Sequence, residues 1–238
     1  MQVGCVRDRI RRHRGCRRFL MSSFRARRKW ASASAIALVL ACTSCTTVNG
    51  GPVAGTPGPT ATSSSAPSIR QTDGSGRNLP FVTEFRNRWN INNNGSPYEP
   101  CTEVSVDVVR QFGLDPSSVR DAAASDFQTV RGCDWTLIED GRSSIAQFVA
   151  NILRPNEGLT GHKTLNRAGT TWFPDIEVEG RRVLVESMMA GECTVYVQSG
   201  TAVVITSVTR LGFRRPATEA VCREATDFLR ATISEIPV

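Results

Sequence analysis

The chain has 238 residues, with 29 basic and 22 acidic side chains and a formal net charge of +7. Position overrules that total: 11 of the 29 basic residues and one of the 22 acidic ones precede Cys42, leaving 18 against 21 in the remainder. The basic excess therefore belongs to a leader, and a nucleic-acid-binding role argued from net charge is excluded.

That leader has the parts of an export signal peptide. A cationic segment ends in Arg-Ala-Arg-Arg-Lys-Trp, an apolar run covers 31–41, and small residues stand at the cut. The apolar run is too short to cross a bilayer core as a helix, which takes about 20 residues. Counted from Met1 the signal is unusually long, whereas from Met21 it has ordinary length, so translation is expected to begin at Met21. Val39-Leu-Ala-Cys42 resembles a bacterial lipobox. It predicts acylation (palmitate or a similar chain) at Cys42, with Cys45 as second choice, and a lipoprotein anchored to the cell membrane on its extracytoplasmic face. The alternative is an ordinary cleaved signal that releases a secreted, soluble protein. Residues 43–78 are Gly, Pro, Ser, Thr and Ala with few aliphatics; they cannot offset their ordering entropy and are expected to form a flexible tether.

A single domain is expected over 79–238. Ser105 as N-cap and Gly113 as stop predict a short helix with Val108, Val109 and Phe112 on its inner face. β-rich segments flank turns at Asp140-Gly141, Glu179-Gly180 and Ser199-Gly200. The stretch 156–169, which holds His162, is open between loop and short helix. Pro216 starts a C-terminal helix whose spacing gathers Val221, Cys222, Ala225, Phe228, Leu229 and Thr232 on one face. The sum is an α+β fold: four to five antiparallel strands, a short N-terminal helix, and a C-terminal helix covering one sheet face.

Four cysteines fall in that domain, Cys101, Cys133, Cys193 and Cys222, and an even set in an exported chain points to two disulfides. Of the three possible pairings, local separation favours Cys101–Cys133 and Cys193–Cys222, each tying a helix to a neighbouring strand. A four-cysteine zinc site needs closely spaced pairs such as CxxC, which the domain lacks, so no metal or other cofactor is expected.

Glu99-Pro-Cys101 before a helix ending Phe-Gly-Leu-Asp-Pro, then Gly132-Cys-Asp-Trp-Thr136, the strand Glu192-Cys-Thr-Val-Tyr-Val197 and a Cys-bearing last helix resemble the actinobacterial, often mycobacterial, envelope lipoproteins called domain of unknown function 3558. The likeness covers about 98–238 together with the lipobox and tether. The usual opening of that family is Asp-Pro-Cys; here Glu99 takes the place of the Asp. The resemblance implies an envelope lipoprotein without an assigned activity, and it supplies no catalytic residues.

The sequence carries few groups suited to catalysis. His162 is the lone histidine after the leader, its Gly-His-Lys-Thr setting breaks the phosphate-loop pattern, and neither GxSxG nor HExxH occurs. No enzyme is expected. Asp175, Glu177 and Glu179 read as the wet face of an edge strand rather than a cation site, and Arg181, Arg182, Arg214 and Arg215 as solvated surface. Trp135 is expected in the core, and Trp172 is a candidate pocket residue. The expected role is a binding module for a lipid or other hydrophobic ligand held between sheet and helix, with the membrane as partner through the anchor. The alternative is a pocketless scaffold or sensor partner of another envelope protein.

Overall fold

The computed structural model describes residues 68–212 and 215–238. Met21, Cys42, Cys45, Arg214 and residues 43–67 of the expected tether lie outside the described residues. The described part falls within one unit, Thr62–Val238. Its first residues are already folded: Thr72 bridges Asn78, and the buried Asp73 carboxylate accepts from the backbone N–H groups of Ser75 and Arg77 and from the Thr102 hydroxyl. Residues 72–78, expected in the tether, thus belong to the folded unit, because Asp73 gives this polar turn the buried hydrogen bonds that its composition alone lacks.

Eight strands form one sheet: β1 (Arg120–Asp121), β2 (Val130–Thr136), β3 (Ser144–Asn151), β4 (Thr171–Trp172), β5 (Ile176–Val178), β6 (Arg181–Ser187), β7 (Glu192–Ser199) and β8 (Ala202–Thr209). Their order is β1-β2-β3-β8-β7-β6-β4, every pairing is antiparallel, and β5 pairs with β6 farther along the edge that β4 occupies. The expectation of four to five strands is thus corrected upward. The strand pair expected about Glu179-Gly180 is present as β5 and β6; the unforeseen strands are β1 and β4, only two residues long, too short to show a period-2 pattern, which exist because a longer neighbour offers them hydrogen bonds. The centre is the β3–β8 pair, registered from Ser144↔Thr209 to Asn151↔Ala202, which joins two hairpins distant in sequence.

Two short helices, α1 (Pro100–Glu103) and α2 (Val106–Gln111), precede the sheet, and the Ser105 side chain accepts from the Val108 N–H to cap the second. α4 (Thr218–Thr232) lies across β7 and β8 and buries Val221, Cys222, Ala225, Phe228, Leu229 and Thr232, the face its spacing predicts. Beneath it Gln147 is fully buried: it accepts from the Tyr98 hydroxyl at 2.6 Å and donates to Thr206 and Thr232 at 3.0 Å each, stitching β3, β8 and α4. Disulfides join Cys101 to Cys133 and Cys193 to Cys222, the first tying α1 to β2 and the second β7 to α4.

The opposite sheet face is not simply solvated. The segment holding His162 forms α3 (Gly158–Leu165), whose Leu159 packs with Leu184, Tyr196, Val203 and Ile152, and Trp172 joins them from β4. Apolar clusters thus cover both faces, unequally: α4 spans one and the shorter α3 shields part of the other. The single covered face expected from sequence is corrected on this point.

Candidate functional site

An apolar groove runs between α4 and the β4–β5 edge. Its floor is Phe173, Ile176 and Val185, its wall includes Cys222 of the second disulfide, and its volume is about 530 Å³. Phe173 reaches this side because its N–H donates to Val185 O just beyond β4, so consecutive residues point oppositely: Trp172 toward the α3 face, Phe173 into the groove. Glu219, Arg223, Asp227 and Arg230 of α4 form a charged rim, at helical spacings that leave one edge of the helix above the floor. Arg230 pairs with Asp227, while Arg223 makes no ion pair among the described residues. A second depression of about 540 Å³ lies beside the start of α3, but its arginines are occupied: Arg181 donates to the carbonyls of Ile236 and Pro237, and Arg182 to Asp175 and Thr160.

The signature segments hold the fold rather than a reaction centre. Glu99 receives Arg88 Nη1 at 2.7 Å and Arg131 Nη1 at 3.1 Å on one oxygen, and its side chain caps α1 through the Cys101 N–H. Arg88 also donates to both oxygens of Asp121 and approaches Cys101 Sγ at 3.2 Å, while Arg131 donates to the carbonyls of Asn93, Ser96 and Tyr98. All three charged side chains are essentially removed from water, and such a cluster persists only because every donor is met. Trp135, beside Cys133, is buried against Phe228, as its position predicts.

The sequence-level candidates for chemistry separate. His162 stands half-buried on α3 with its ring 4.8 Å from that of Tyr196, and burial lowers its pKa, so the segment left open between loop and helix is helical and its histidine is not fully solvated. Asp175, Glu177 and Glu179 do not assemble: Glu179 is a left-handed turn residue, Glu177 faces Arg182 in register, and Asp175 binds Lys163 and Arg182, each at 2.6 Å. Burial alone would raise the Asp175 carboxyl, but those two cations hold it below the ordinary carboxylate range. What sequence reasoning missed is Glu186. It is 4% exposed, one oxygen accepts from the Tyr196 hydroxyl at 2.6 Å, and burial pushes its pKa up, with Glu192 adding to the rise. Its Leu-Val-Glu-Ser context carries only an interrupted apolar strand as a signal. Among the described residues no group of His, Cys, Asp and Glu could hold a metal ion, and no helix is long and apolar enough to cross a membrane.

The model of a family described as "Protein of unknown function (DUF3558)" matches residues 37–235. No curated protein matches the chain.

Proposed function

The chain belongs to the DUF3558 family, and from that premise we propose that it is a lipid-anchored envelope lipoprotein whose folded unit binds an acyl chain or similarly apolar ligand in the groove under α4. The observation that carries this reading is the groove itself: about 530 Å³ with Phe173, Ile176 and Val185 as floor and charges confined to the rim. Ligand sites have that form, an apolar body with a few polar groups at its mouth. The rim also suits an amphiphile, since Arg223 is free to meet an anionic head while the tail lies on the floor. The anchor half of the proposal draws on Cys42 and its lipobox, which lie inside the matched span.

Native mass spectrometry of the oxidised protein purified from its own host tests the ligand. A co-purifying lipid, lost on Val185→Trp, which fills the floor, is the expected result; a ligand-free protein that also ignores added fatty acid overturns the reading. For the anchor, Cys42→Ala is expected to leave the membrane fraction. Unchanged retention at the membrane sinks that half alone.

A further inference from the structure

Two buried side-chain polar atoms lack a hydrogen-bond partner among the described residues, Trp172 Nε1 and Glu186 Oε2. They belong to residues directly opposed across β4 and β6, so both side chains project from the same sheet face. One is solely a donor, the other an acceptor. Leaving either dry costs about 1–3 kcal/mol, and folded proteins rarely tolerate it without a bound group. We propose that this pair is a recognition point for a neutral hydroxylated ligand, a monosaccharide or the terminal sugar of a glycan, separate from the groove under α4.

The chemistry selects the class. A hydroxyl accepts from the indole N–H and donates to the carboxyl at once, whereas a cation satisfies only Glu186 and an anion only Trp172. The neighbours hold the pair in place. Tyr196 donates to the other Glu186 oxygen at 2.6 Å and so fixes the carboxyl plane with Oε2 left over. The Thr170 hydroxyl, like that of Tyr196, lowers the Glu186 pKa against the effect of burial, while Oε2 itself has no hydrogen-bond partner of normal geometry among the described residues. The Tyr196 ring stands 5.9 Å from that of Trp172 and 4.8 Å from that of His162, a cluster of rings on which sugar C–H faces can pack. Access is from the side: β4 is an edge strand and Trp172 is only partly buried. Lys163 lies near the indole at 5.3 Å, held by Asp175, so a cationic ligand there would meet a like charge.

The test follows the Trp172 indole N–H resonance in protein labelled with nitrogen-15 at tryptophan, assigned with Trp172→Phe, during separate titrations with glucose, galactose, mannose and arabinose. At least one sugar is expected to shift that resonance saturably while the Trp135 resonance stays still. Glu186→Gln, which keeps the shape and removes the charged acceptor, should weaken binding about tenfold, the loss of one charge-assisted hydrogen bond. A Trp172 resonance that no sugar moves, or that drifts linearly without saturation, overturns the proposal and leaves an ordered water as the bridging group. Because the probes are sugars and the site lies across the sheet from the groove, failure here leaves the lipid reading standing.

Discussion

Glu99 shows how much a single residue carries. It sits in the Glu-Pro-Cys signature, and in sequence it looks like a mild exchange for Asp; in the fold it is the shared acceptor of two buried guanidiniums. Removing it leaves Arg131 without a carboxylate partner and Arg88 with only Asp121, and breaking such a cluster costs about 3–5 kcal/mol. Glu99→Ala is accordingly expected to lower the unfolding free energy read from urea titration by that amount, more than removing any exposed acid such as Glu139. Glu186 predicts the opposite sign. Burial raises its pKa, so the folded state holds the proton more tightly than the unfolded one, and stability falls as pH rises above the ordinary glutamate value of 4.5. Glu186→Gln should therefore gain about 1 kcal/mol at neutral pH. In thermal melts that gain should disappear at pH 4 and below; an equal gain at all pH values would contradict the assignment.

At the scale of elements, legibility tracked length. α4 and the hairpins about Asp140-Gly141 and Ser199-Gly200 were readable because they run seven residues or more with one clear period. The three-residue β5 was readable only through the Glu179-Gly180 turn beside it; the two-residue strands β1 and β4 were not readable, nor was α3, whose apolar positions are too few to distinguish it from loop. Gly132 is a further element-level device that composition hides. It has φ +150, and a Cβ there would meet Gln147 O at 2.1 Å, so β2 can pair with β3 at this point only without a side chain. Gly132→Ala should displace β2 together with Cys133 and Arg131. The expected loss is about 3 kcal/mol or more, read as reduced protection of β2 amides in hydrogen exchange while the β7–β8 hairpin stays protected.

For the whole molecule, the two disulfides divide the labour. Cys101–Cys133 pins the N-terminal helices beside the buried ion cluster, and Cys193–Cys222 pins α4 to β7 and lines the groove. With its cysteines 29 positions apart, the second bridge limits the unfolded chain enough to contribute about 3–4 kcal/mol. A double change of Cys193 and Cys222 to Ser should lower stability by that order and, because α4 is also the groove wall, abolish lipid co-purification in the same protein. Retained lipid with a loosened α4 would separate the groove from the proposed site.

The sequence by itself determined what local chemistry controls: the charge split at Cys42, the amphipathic face of α4, the turns, and the cysteine pairing favoured by short separation. Each of these depends on residues close together along the chain. Tertiary structure alone decided that eight strands among the described residues join into one sheet, that Glu99 joins Arg88 to Arg131, that Phe173 and α4 enclose a groove, and that Glu186 and Trp172 are paired across β4 and β6, each with one atom lacking a partner among those residues. These depend on pairings across tens of residues, where burial and hydrogen-bond satisfaction are set by neighbours that no local pattern names.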